Sequence, residues 1–233
     1  MNQISRIRKL SLWIFLIPFI AINLCLIISQ NWQFLDNTFF KVDEIGKSGF
    51  SIPYLDGSLS ISRASRTFPQ YLIFKPAMIT TAIFLYYYWT SNNILVNYYK
   101  SSNLNYKFKT FGILSAIFLA IHSIFLGIKF DIQIYKFLRR VILLLFIIFE
   151  IIAQGILVYH FFKIKNQLAG FINKKILILK IVLVLILSTV AILSLPLLIG
   201  KGNTHFKHAL EWNYFIGVIS FYFLSRFFWR RTT

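Results

Sequence analysis

The chain has 233 residues, 58% of them hydrophobic and 14% charged, with a mean hydropathy of +0.68 and a formal net charge of +18. Soluble domains hold about 45–50% apolar and about 25% charged residues, so the composition excludes one and indicates a single polytopic membrane domain. The excess Lys and Arg stands in short intervals beside apolar runs, which suits anionic lipid head groups and argues against nucleic acid as a partner.

The only cysteine, Cys25, lies inside the first apolar run and permits neither an intramolecular disulfide nor a cysteine metal site. That run, Leu10 to Ile28, follows Arg6, Arg8 and Lys9 and is longer than the core of a secretory signal, about 7–15 residues, so it reads as a retained helix. Pro18 and Asn23 within it predict a kink and a face that needs partners. Five more runs are long enough to cross a bilayer: Tyr71 to Trp89, Phe111 to Ile128, Val141 to Phe162, Ile176 to Ile199 and Ala209 to Phe228. In lipid such runs are helical, because an open strand leaves peptide groups unpaired. The expected fold is therefore all-α, a six-helix membrane bundle. Tyr86 to Trp89 read as an interfacial aromatic belt, His160 as interfacial, and Pro196 with Gly200 as the stop of the fifth helix.

Thirteen Lys and Arg residues flank the runs on the side of the termini, against six in the third and fifth loops. Positive charge marks the cytoplasmic side, so both termini are expected to be cytoplasmic, although Arg139 and Arg140 in the third loop oppose this. The first loop, about Ser29 to Gln70, then becomes a long structured non-cytoplasmic element that also holds most of the acids. Its polar stretch continues to Pro76 and includes Asp56, Gly57, Arg63, Arg66 and Lys75.

Ionisable groups inside lipid are costly and mark candidate sites. Glu150, with Gln154 one turn on, lies nine residues into the fourth run, and His122 lies six before the end of the third. Depths that agree within a turn suggest that they pair, either as a packing hydrogen bond or as a carboxylate and its proton partner acting on a lipid ester. Glu211 opens the last run in the string THFKHALEWNYF, beside Trp212 and Asn213, where it suits the helix dipole and a salt bridge to the first-loop arginines. His205, His208, His122, Glu211 and Asp56 do not form a compact ligand set, and no nucleophile elbow or phosphate-cradling glycine loop occurs. No metal or cofactor is expected.

An IPYLDG opening of the first loop, the RTFPQYLIF entry to the second run, the six runs and HALEWNYF at the last together resemble the Frag/DRAM/Sfk family of six-span membrane proteins. That family includes remodellers of GPI-anchor lipids and autophagy modulators. The resemblance implies that the first loop and the start of the last helix meet on the luminal or periplasmic face, with Glu211 at the family's Glu-Tyr or Glu-Trp position. Where a family segment often carries His-Glu after an aspartate, the stretch from Asp131 has Tyr135 and Lys136. The membrane implied is a bacterial inner membrane or a eukaryotic Golgi, plasma or lysosomal membrane, according to source.

The expected function is lipid handling: binding or remodelling a phospholipid or lipid-anchor acyl group in an outer-leaflet cavity. Arg63, Arg66 and Lys75 would offer charge to a phosphate, Glu211, Trp212 and Asn213 would complete the binding surface, and Glu150 and His122 would handle protons. The alternative is a non-enzymatic scaffold or regulator that docks membrane-protein partners through the first loop.

Overall fold

A computed structural model describes residues 2–99, 107–128, 133–199 and 202–230. Among these the chain is helical without a named strand. The long helices are α1 (Asn2–Gln30), α4 (Gln70–Tyr98), α5 (Phe108–Phe125), α6 (Gln133–Lys163), α7 (Lys174–Ile199) and α8 (Thr204–Phe228). Between α1 and α4 come two 3-10 turns and two short helices, α2 (Pro53–Asp56) and α3 (Ile61–Ser65). Among the described residues four helices are long and apolar enough to span a membrane: α1, α5, α6 and α7. α7 leaves Ile178, Leu179, Leu185, Ile186, Ile192 and Leu193 at least half exposed. An apolar surface of that extent is tolerated in lipid and is unusual in water. The protein is thus membrane-embedded and all-α.

The helices extend beyond the apolar runs because hydropathy marks only the part within hydrocarbon, while the backbone goes on pairing within the helix past it. α6 shows the largest consequence: it starts at Gln133, so Arg139 belongs to a helix and not to a loop. α5 instead stops at Phe125, three residues early. There Gly127 takes φ +85° and lies against the Arg66 carbonyl, which a Cβ would approach to 2.5 Å. α1 continues through Pro18, and Asn23 donates to the Phe19 carbonyl while accepting from Tyr54. α7 ends at Ile199; Gly200, Lys201, Lys100, Lys129, Asp131 and Arg231 lie outside the described residues.

The long helices form a ring in which α1 packs on α4, α4 on α5, α5 on α6, α6 on α7, α7 on α8, and α8 back on α1. At one end the 164–173 segment meets the end of the chain, where the Asn173 amide donates to the Phe228 carbonyl and the Arg230 amide to Phe171. At the other end α2 and α3 pack on α8. Tyr88 and Trp89 are fully buried, unlike Tyr86 and Tyr87. The string YYYW is therefore only half a belt, since four successive residues at 3.6 per turn cannot share one face. His160, in the last turn of α6, is likewise buried, its ring 5.5 Å from that of Phe108.

Candidate functional site

The start of α8 grips the segment before α4. Asp56 closes α2: its carboxylate accepts from the amides of Ser58 at 2.8 Å and Ile52 at 3.0 Å, and these bonds, Ser58 foremost, hold it below the usual carboxylate range. Gly57 follows at φ +59°, so close to α8 that a Cβ would meet the His205 carbonyl. His208 Nδ1 lies 3.0 Å from the Gly57 carbonyl. Trp212 Nε1 donates to Leu59 at 2.7 Å, and its ring meets Tyr54 edge-on at 4.8 Å. Asn213 donates to the Tyr54 carbonyl at 2.7 Å, and the Glu211 carboxylate faces the amides of Ile61 and Ser62.

These amides open α3, so Glu211 serves as an acidic group at a helix amino terminus. The expected salt bridge to Arg63 or Arg66 is replaced by that contact. Among the described residues the ion pairs join Lys41 and Lys47 to Asp36 and Glu44. Glu211, Trp212 and Asn213 thus hold the segment in place.

The three predicted phosphate ligands are close to one end of the bundle. Arg63 is exposed, its Nε donating to the Ile45 carbonyl at 3.1 Å. Arg66 is half-buried, and burial, then the nearby guanidinium groups of Arg139 and Arg63, keep it below the ordinary arginine range. Lys75 Nζ donates to Ile124 at 3.2 Å and lies 5.4 Å from the Tyr71 ring centre.

His122 and Glu150 do not pair. His122 faces the backbone of Arg139, and its Nδ1 is without a partner. Glu150 is fully buried and bonded elsewhere: Ser115 donates to Oε2 at 2.5 Å, Gln154 to Oε1 at 2.9 Å, and Tyr222 also to Oε1. The early start of α6 is the reason. Glu150 is seventeen residues from that start, roughly 26 Å at 1.5 Å per residue, whereas His122 is three residues from the end of α5. Antiparallel packing then sets Glu150 opposite Ser115, two turns from His122.

Glu150 belongs to a longer buried polar chain that includes a lysine absent from the sequence argument. Lys180 is fully buried in α7, donates to Ser225 at 2.8 Å, and sits 3.9 Å from the centre of the Phe221 ring and 5.1 Å from that of Phe228. Ser225 also bonds the Tyr88 hydroxyl at 3.0 Å, and the Tyr88 and Tyr222 rings pack edge-on at 5.0 Å. Gln154 reaches from Glu150 to the Val218 carbonyl at 3.3 Å. α4, α5, α6, α7 and α8 thus meet around one polar core.

The signal for Lys180 was its place six residues after Lys174, roughly 9 Å along the helix, deeper than an interfacial anchor needs. Tyr88 and Tyr222 carry no comparable signal. No family model matches the chain, and neither a curated protein nor a solved structure matches it.

Proposed function

We propose that this chain is a lipid-handling membrane protein of six spans, with both termini cytoplasmic and residues 31–69 forming a long outer element. α4 and α8 complete a ring with four apolar helices, which supports the span count. The family resemblance rests on its sequence motifs alone. The observation that carries the lipid reading is the basic group at the outer end. Arg66 is half-buried beside Arg63 and Arg139, and no ion pair among the described residues reaches any of the three. Neighbouring guanidinium groups repel unless an anion lies between them, and a phosphate offers them bidentate geometry.

Binding is favoured over remodelling, because Glu150 is enclosed by Ser115, Gln154 and Tyr222 and does not meet His122. Native mass spectrometry of gently extracted protein is expected to show a retained phospholipid, and Arg63→Ala with Arg66→Ala to lose it. Equal retention in that variant would overturn the reading.

One observation favours the second reading, a scaffold that docks protein partners through the first loop. Phe34, Phe39, Phe50 and Leu55 are each more than 80% exposed. Replacing all four by serine is expected to abolish partner crosslinking in membranes without changing lipid retention. Unchanged crosslinking removes this reading.

A further inference from the structure

Between α4 and α5 runs a groove of about 250 Å³. Its floor is small, with Ala82, Ala116 and Ala120, and its walls include Ile83, Tyr87 and Ile117, which are 41–50% exposed. It is therefore open to the outside of the bundle and nearly free of polar groups. Water finds no hydrogen-bond partners in such a channel, whereas hydrocarbon fits it. From Ile79 to Tyr87 it extends roughly 12 Å along the helix at about 1.5 Å per residue.

Lys75 stands at the far mouth of the groove, one turn before Ile79 on α4, with its amine on the Ile124 carbonyl, whereas the near mouth carries two cations. The exposed Arg6 guanidinium stands 5.1 Å from the centre of the Tyr87 ring. Lys109 lies one turn before the wall residue Ile113 on the same face of α5. α1, α4 and α5 contain no Asp or Glu, so neither cation has an acidic partner within these three helices. With the Lys75 amine already on a backbone carbonyl, the apolar slot offers its two remaining cations at one mouth, the charge pattern of an acyl chain ending in an anionic head group.

We infer that this groove binds one acyl chain of an anionic phospholipid from the leaflet beside the chain termini, its phosphate held by Arg6 and Lys109. The site shares no residue with the basic group at Arg63 and Arg66 and lies at the other end of the bundle, so either can fail alone.

The test uses the full chain in nanodiscs containing phosphatidylglycerol with a photoactivatable diazirine in mid-chain, and separately phosphatidylcholine with the same chain. Crosslinks are expected to concentrate on residues 79–87 and 113–120, with the anionic lipid preferred. Arg6→Gln is expected to lower the phosphatidylglycerol yield about fivefold, the effect of one basic residue at an anionic surface, and to leave the phosphatidylcholine yield unchanged. Ala120→Phe fills the groove and is expected to remove both. Should that variant not fold, the Arg6 result and the crosslink map still decide. Even labelling of α7 at Ile178 and Leu185 overturns the inference. So does a chain-to-chain crosslink between α4–α5 faces, which would make a second copy the occupant.

Discussion

Replacing Gly57 by alanine tests whether the first segment is locked onto α8. The change is the smallest available, one methyl group, but it meets two obstacles. Gly57 has φ +59°, a left-handed conformation that costs other residues roughly 1–2 kcal/mol. The added Cβ would also lie 1.7 Å from the His205 carbonyl oxygen and 3.0 Å from the Ala209 amide nitrogen. Both neighbours are helix backbone and cannot rotate aside, so α2 must lift from α8. Lifting breaks the contacts of His208 with Gly57, Trp212 with Leu59 and Asn213 with Tyr54. At about 1 kcal/mol net for each of the three hydrogen bonds, with the backbone cost added, local stability falls by about 4–5 kcal/mol. Gly49→Ala is the control, because a Cβ there meets nothing within 4 Å. Amide hydrogen exchange over residues 52–62 reads the difference: protection is expected to collapse in Gly57→Ala and to persist in Gly49→Ala. Equal protection in the two variants would refute the clamp.

In detergent unfolding experiments, Glu150→Leu should destabilise by about 1–3 kcal/mol by stranding the Tyr222 hydroxyl, while Ser115 and Gln154 keep the Gly112 and Val218 carbonyls, whereas Glu150→Gln, which still bonds, costs about 1 kcal/mol. Lys180→Met should unfold within about 1 kcal/mol of the native chain or later, since an apolar replacement removes the desolvation cost of a buried amine. The first segment should loosen in acid. Asp56 titrates lower when folded, so its contribution is present above its unfolded value of about 3.9 and is lost as pH falls through the depressed folded value. Asp56→Asn should flatten that part of a proteolysis profile for residues 52–62.

The all-helical, membrane-embedded class was legible because lipid leaves a long apolar run almost no alternative to helix. Glu150 and Gln154 were legible as one polar face for the same reason: polarity inside hydrocarbon needs an explanation. Their partners were not. Hydropathy gave α6 a start eight residues late, and a depth counted from that start aligned Glu150 with His122. An error of two turns suffices to choose the wrong partner. Tyr88 and Trp89 looked like a belt because residue type alone does not say which side of a helix faces the ring. The burial of Trp89 depends on Gly112, where a Cβ would meet the Trp89 indole, a close approach of α4 to α5 that no single residue announces. The Gly57 lock and the backbone contact of Glu211 depend on tertiary placement in the same way, even though the acid at a helix start was visible as a local signal.

α8 explains how two buried ionisable side chains coexist without an ion pair. Glu150 lies thirteen residues before the end of α6 and Lys180 six residues after the start of α7, so along the bundle they differ by roughly 10 Å at 1.5 Å per residue. Tyr222 and Ser225, three apart on α8, serve one group each. Tyr88, bonded to Ser225 and packed on Tyr222, joins the two ends. At its other end the same helix spends Glu211, Trp212 and Asn213 on α2 and α3. A helix that carries five hydroxyls, an amide and an indole is less apolar than α7, and that is why it falls outside the four obvious spans. Every one of those groups would be expensive to bury alone, so sliding α8 by one turn would break both sets of contacts together. The polar residues of α8 therefore set the register of the ring, and the apolar helices around it supply the solubility in lipid.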